Sequence, residues 1–228
     1  MSGYAFPPPP VASVPIAGGG LFPVHRIYCV GRNFAEHARE MGAEVSRASP
    51  VFFMKPADAV CSPDAVPFPP ATNDLHHEVE LVVAIGSDAD GEVTADRALA
   101  LVFGYAVGLD LTRRDLQALA KEKRLPWDTA KGFDHSAPTS EIVPVAQAGH
   151  DFSRRLWLEV NGERRQQAML SDMIFPVAEI IAELSRLYAL KAGDLLFMGT
   201  PAGVGPLHRG DRFRAGVDGL AQFDGRII

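Results

Sequence analysis

Two glutamates, Glu78 and Glu80, stand two residues apart inside HHEVELVVAIG, a run that otherwise reads as a buried strand. Side chains at i and i+2 of a strand point to the same face, so the sequence predicts two carboxylates side by side at the edge of the core. Adjacent carboxylates repel, and one must hold a proton unless something positive intervenes. A third acid, Asp110, ends the apolar run GYAVGLD immediately before a helix. Read singly, the Glu pair fits a solvated strand end and Asp110 fits a helix cap. Together they offer hard oxygen ligands without cysteine, a set suited to Mg²⁺ or Mn²⁺ with water or substrate completing the coordination. His76 and His77 flank the pair as packing or outer groups. Zinc is disfavoured, because neither C-x-x-C nor H-E-x-x-H spacing occurs.

A second constellation lies in RNFAEHAREMG, where His37 and Glu40 are three apart and share a helix face. A carboxylate that orients an imidazole makes a competent general base for water; the same spacing is also common in plain surface ion pairs. The cationic and hydrogen-bonding candidates are Arg114 and Gln117, three apart on the helix after Asp110, with Lys131 in DTAKGFDHSAP and Lys55 in FMKP. GTPAGVG, residues 199 to 205, could offer the Thr200 hydroxyl and open backbone amides to an anion. It lacks a Walker lysine and does not open a helix as G-x-G-x-x-G, so in isolation it reads as a glycine-rich turn.

The elements that must position these groups are short. HRIYCVGRN reads as a strand ending at Gly31, with Asn33 capping a helix, FAEHAREMG, that stops at Gly42. PVFFMKPADAV, HHEVELVVAIG and YAVGLDL read as three further strands. Thr112 and Asp115 resemble a capping box opening RRDLQALAKEKR. RLWLEVNGERRQQA is a hairpin with a type I′ turn at Asn161 and Gly162. FPVAEIIAELSRLYAL places Val177, Ile180, Ile181, Leu184 and Leu187 on one helical face. With 21 glycines and 18 prolines, the chain breaks into many small pieces. The expected class is α+β, a β-rich core with short flanking helices and not a doubly wound sheet.

The 228 residues suffice for one catalytic domain, residues 25–228, behind a Pro/Gly-rich arm, residues 1–24. A hydrophobic fraction of 47% with 22% charged residues is ordinary for a soluble globular protein. The net charge of -6 argues against nucleic acid as a partner. No apolar run is long enough to predict a membrane span. The N-terminus lacks the basic start and apolar core of a signal peptide. Cys29 and Cys61 are expected as free thiols, and the cytoplasm is the expected compartment.

Taken in order, IYCVGRNFAEHAREMG, PVFFMKPADAV, HHEVELVVAIG, GYAVGLDLTRRDLQ, LPWDTAKGFDHSAP, LEVNGERRQQAMLSDMIFP and GDLLFMGTPAGVGPLHRGD resemble the fumarylacetoacetate hydrolase family. Within it, YAFPPPPVASVPI and FDHSAP are similar to fumarylpyruvate hydrolases of the bacterial gentisate pathway. The resemblance implies a mixed β-roll, usually a homodimer, that hydrolyses a carbon–carbon bond of a small 2,4-dioxo acid. Fumarylpyruvate would yield fumarate and pyruvate. The family's metal ligands fall on Glu78, Glu80 and Asp110, with Mg²⁺ or Mn²⁺ implied, and its catalytic dyad on His37 and Glu40. Its substrate contacts fall on Arg114, Gln117 and Thr200, and Lys131 matches a lysine close to the metal. Larger members have a further metal-binding aspartate where this chain has Val30, so the coordination number is left open. The segment carrying the dyad is a mobile lid in similar proteins. Arg32 is the candidate for the substrate's distal carboxylate. Oxaloacetate decarboxylation, a broader acylpyruvase activity and isomerisation of a related dioxo acid are the rival activities. A non-catalytic protein on this fold would be expected to lack the dyad or a ligand, and the sequence keeps both.

Overall fold

The computed structural model describes residues 3–40 and 47–228. In chain order, the elements around the site begin with β1 (Ile27–Gly31), α1 (Ala35–Glu40), β2 (Val51–Lys55), β3 (Leu75–His77) and β4 (Val79–Ile85). They continue as β5 (Val102–Leu109), α2 (Arg114–Lys123), α3 (Asp128–Lys131), β6 (Arg155–Val160) and β7 (Glu163–Met169). The chain closes with α4 (Val177–Leu187), β8 (Leu195–Phe197), β9 (Arg212–Val217) and β10 (Ala221–Arg226).

A six-stranded sheet runs Val143–Pro144, β5, β4, β8, β1, β2. In β4, Leu81, Val83 and Ile85 enter one apolar cluster while Val82 and Ala84 enter another on the opposite face. A strand covered on both faces has no polar alternation, which is why its sequence is a continuous apolar run. Each such side chain contributes about 1.5–3 kcal/mol through burial. A four-stranded antiparallel sheet, β7-β6-β9-β10, lays Leu156, Leu158, Phe213 and Ala215 into the first cluster, and α4 adds Val177, Ile180, Ile181 and Leu184. The result is the strand-rich mixed fold with short helices that the sequence predicts. Asn161 and Gly162 take φ of 52° and 84°, the left-handed pair that a type I′ turn needs.

Several local expectations fail for long-range reasons. HHEVELVVAIG is not one strand: it breaks at Glu78, because β3 leaves the main sheet to pair with Gly205–Leu207 and Thr112–Arg113. Asn33 does not cap α1; its buried amide donates to the carbonyls of Phe175 and Met198 and accepts from the Phe175 amide. Thr112 forms no capping box, since its hydroxyl donates to the Asp110 carbonyl at 3.0 Å. Asp115 instead accepts from Thr72 and Asn73 across the surface. Leu187 is 63% exposed, because α4 ends there and Tyr188 is extended. The expected end of α1 at Gly42 lies outside the described residues.

In the N-terminal segment, residues 3–10 are exposed. From Ser13 the chain folds into a hairpin, Ser13–Pro15 with Leu21–Pro23, which buries Val14 and Phe22 in the second cluster. Cys29 and Cys61 are both free. Among the described residues no helix is long and apolar enough to cross a membrane.

Candidate active site

The break at Glu78 is what gathers the three acids. The register sets Glu80 of β4 opposite Gly108 of β5, and Asp110 follows on the same face two residues later. The Asp110 amide donates to the Glu78 carbonyl at 2.8 Å, tying both strand ends together. Gly108 is required here, because a Cβ would stand 2.6 Å from the Phe197 ring. Carboxylate oxygens of Glu78, Glu80 and Asp110 lie within 4.8 Å of one another, and all three residues are buried.

Three cations answer the three acids unevenly. Lys131 of α3 donates to Glu78 Oε2 at 2.8 Å, Asp110 Oδ2 at 2.6 Å and Thr112 Oγ1 at 2.7 Å. Lys55 Nζ lies 2.8 Å from Asp110 Oδ1, and Arg114 donates to Glu78 Oε1. Burial opposes ionisation of Glu78, but Lys131 and Arg114 outweigh it and hold its carboxyl well below the usual range. Burial likewise opposes the charged form of Lys131, and Asp110 and Glu78 overcome it and raise its pKa. Among the described residues, Glu80 is served by one donor, the Gly199 amide at 2.7 Å. Burial, then repulsion from Asp110 and Glu78, pushes its carboxyl well above the usual range. Asp110 Oδ1, although beside Lys55, has no aligned hydrogen-bond donor among the described residues. Converging hard oxygens, one of them unsatisfied and one carboxylate poorly compensated, fit a divalent cation.

His37, paired with Glu40, faces the same cavity as Glu78 and Glu80. His37 Nδ1 lies 3.2 Å from Glu40 Oε2, and Glu40 Oε1 also accepts from the Gly203 amide at 3.1 Å. A carboxylate partner places the imidazole proton on Nδ1 and leaves the Nε2 lone pair free. Buried His37 lines one small cavity, about 30 Å³, with Glu78, Glu80, Arg114, Gln117, Lys131 and Thr200. Asp110 is buried beside it, bonded to Lys131, and Glu40 stands behind His37. Arg114 donates to Gln117 Oε1 at 2.6 Å, and its Nε to His76 Nδ1 at 3.3 Å.

Two expected ligand contacts are already used within the protein. The Thr200 hydroxyl donates to the Val79 carbonyl and accepts from Gln166 Nε2, both at 2.8 Å, so its proton is committed to backbone. The amides of the 199–205 loop, read as open to an anion, include Gly199 and Gly203, which bind Glu80 and Glu40.

Gln166 is the residue that sequence reasoning missed. Its Oε1 accepts from the Val79 amide at 3.0 Å and faces His77 Nδ1 at 2.9 Å, while its Nε2 donates to Thr200 and the Pro201 carbonyl. It thus clamps both sides of Glu78 to the glycine loop. Alternation in ERRQQAM could not have found it: a β-bulge leaves Arg165 unpaired and shifts the register, and that turns Gln166 inward opposite Leu158. Burial drives the His77 imidazole down to about 4, with the Gln166 bond pulling the other way.

Residues 26–228 match the family described as fumarylacetoacetate (FAA) hydrolase C-terminal. A fumarylpyruvate hydrolase from Pseudomonas aeruginosa, solved in complex with Mn²⁺ and pyruvate, is 45% identical, with TM-score 0.94 over 99% of each chain. A Burkholderia cenocepacia structure provisionally given the same description is 51% identical, with TM-score 0.92 over 99% of this chain and 98% of that one. Oxaloacetate tautomerase YcgM of Escherichia coli is 42% identical over 200 residues, 87% of this chain and 90% of its own. Mouse mitochondrial oxaloacetate tautomerase FAHD1 is 44% identical over 196 residues, 85% and 87% of the two chains. The chain belongs to the fumarylacetoacetate hydrolase family.

Proposed function

We propose that the protein is a metal-dependent acylpyruvate hydrolase that cleaves the C3–C4 bond of a 2,4-dioxo acid, with fumarylpyruvate as substrate. The observation supporting this reading is His37, held 3.2 Å from Glu40, lining the same cavity as Glu78 and Glu80 of the acidic triad. Glu40 holds the Nδ1 proton, so His37 Nε2 can take a proton from water as the water oxygen bonds to the 4-keto carbon. The C3–C4 bond then breaks, and its electron pair passes to C3 and the 2-oxygen. The proton held by His37 is available to C3 and completes pyruvate; the second water proton leaves with the new acid, fumarate. Lys131, fixed by Glu78 and Asp110, is the positive charge set to offset the developing enolate. Arg114 and Gln117, joined on one face of α2, orient the acid head. Mg²⁺ or Mn²⁺ held by Glu78, Glu80 and Asp110 would supply Lewis-acid polarisation of the 2-oxo acid. The Pseudomonas aeruginosa relative, with Mn²⁺ and pyruvate, supports that assignment. The same reading takes a small dioxo acid as the partner and expects a cytoplasmic homodimer.

A second reading, oxaloacetate tautomerisation, is favoured by the names of the Escherichia coli and mouse relatives. It moves a proton between C3 and the 2-oxygen and needs no activated water. Decarboxylation, the rival expected from the sequence, is not what those names state. Steady-state turnover of fumarylpyruvate, acetylpyruvate and oxaloacetate with Mn²⁺ separates the readings. The proposal expects the highest kcat/KM for fumarylpyruvate; a clear preference for oxaloacetate overturns it.

A further inference from the structure

The cavity has a second cationic end that neither the acidic triad nor the His37–Glu40 pair uses. Arg114, Gln117 and Lys121 follow at i, i+3 and i+7 on α2, so one helix face presents them in a row. Arg114 is bound to Glu78, whereas Lys121 stands about 10 Å farther along the helix axis. Lys121 lines the cavity with Arg32 and Trp127, and its ammonium lies 5.4 Å from the Trp127 ring centre. Among the described residues, no carboxylate forms an ion pair with Lys121 or Arg32. Burial lowers the Lys121 pKa, and Arg114 and Arg32 push it the same way. Arg32 is also held at φ 60°, a left-handed conformation that a non-glycine residue adopts at a cost. Cations gathered at a cavity mouth without a counter-ion are stabilised when an anion joins them. Between this end and the triad, Phe53 and Trp127 also line the cavity, 5.9 Å apart, an aromatic wall suited to a flat unsaturated chain.

We propose that Arg32 and Lys121 form the subsite for the distal carboxylate of the substrate, so that the site selects long dicarboxylates. The inference rests on the acylpyruvate reading for which end of the substrate meets the triad. Fumarylpyruvate carries its two carboxylates at opposite ends of its chain, acetylpyruvate has no distal acid, and that of oxaloacetate lies too close to the head. Arg32 and Lys121 are therefore specificity-determining residues.

The test is calorimetric binding, with Mn²⁺ present, of 2-oxopimelate against 2-oxoheptanoate, which share the seven-carbon chain of fumarylpyruvate and differ only in the distal acid. The wild-type protein is expected to favour 2-oxopimelate about ten- to hundredfold, the worth of hydrogen bonds to charge. Arg32→Gln and Lys121→Gln should each remove most of that preference and leave 2-oxoheptanoate binding unchanged, while Lys121→Arg retains it. No preference in the wild type, or equal weakening of both ligands, overturns the subsite. Fumarylpyruvate turnover, measured alongside, keeps the two claims apart. Cleavage without the preference sinks the subsite and spares the reaction; the preference without cleavage does the reverse.

Discussion

Glu80 is the acid that the folded chain compensates least. Among the described residues it has one backbone donor, and burial, with repulsion from Asp110 and Glu78, pushes its carboxyl well above the usual range. Glu80→Gln should therefore weaken Mn²⁺ binding by more than about a hundredfold, beyond the usual cost of losing an outer partner. The metal-free variant should melt no lower than the wild type; titration calorimetry and thermal melts read both. His37→Ala should lower kcat by about 10²–10⁴-fold with KM little changed, the signature of a lost proton-transfer group in steady-state kinetics. His77 sets an acid limit of its own. Its folded pKa, about 4, lies below its ordinary 6.5. Unfolding takes up a proton as pH falls, so the stability it contributes is intact above 6.5 and lost between 6.5 and 4. The loss is up to about 3 kcal/mol, and denaturant melts across that window should show it diminished in His77→Asn. Glu78 with Glu80 and His37 with Glu40 were legible from their short spacings, and Asp110 from its place at the end of an apolar run. Gln166 and Lys121 were harder to read, since their roles depend on what the fold brings opposite them.

The glycine loop between β8 and Gly205–Leu207 carries more of the site than its sequence shows. Gly203 sits at φ 95°, and a Cβ there would lie 2.0 Å from the Arg165 carbonyl oxygen. Gly203→Ala should therefore displace the amide that holds Glu40. Thermal melts should show a drop of several degrees, from strain of about 1–3 kcal/mol, with a parallel fall in kcat. An unchanged melting temperature would contradict this account of the loop. Local signals were reliable where the element is self-contained, as in the Asn161–Gly162 turn. They failed where a distant backbone competes for the same side chain, as when Asn33 leaves α1 for Phe175 and Met198. The strand break at Glu78 was hidden for the same reason: β3 and β4 are contiguous in sequence but belong to different sheets.

Across the whole molecule, the order of short strands and small helices conveyed the mixed β-rich class, but not how its sheets would share the acids. β3 ends just before Glu78, β4 carries Glu80 and the end of β5 leads into Asp110, so a cation bound there bridges elements that unfold apart. Binding to the folded state alone should stabilise it by about 2.7 kcal/mol at a hundredfold excess over Kd. A melting shift of about 5–10 °C with Mn²⁺ is expected, and none in Glu80→Gln. The central claim, that the His37–Glu40 pair turns this site to carbon–carbon hydrolysis, is tested most directly by proton NMR of fumarylpyruvate with the Mn²⁺-loaded protein. The account predicts equimolar fumarate and pyruvate from the wild type and almost none from His37→Ala over the same period. Persistence of the substrate with only its C3 protons exchanging, or undiminished cleavage by His37→Ala, would contradict it.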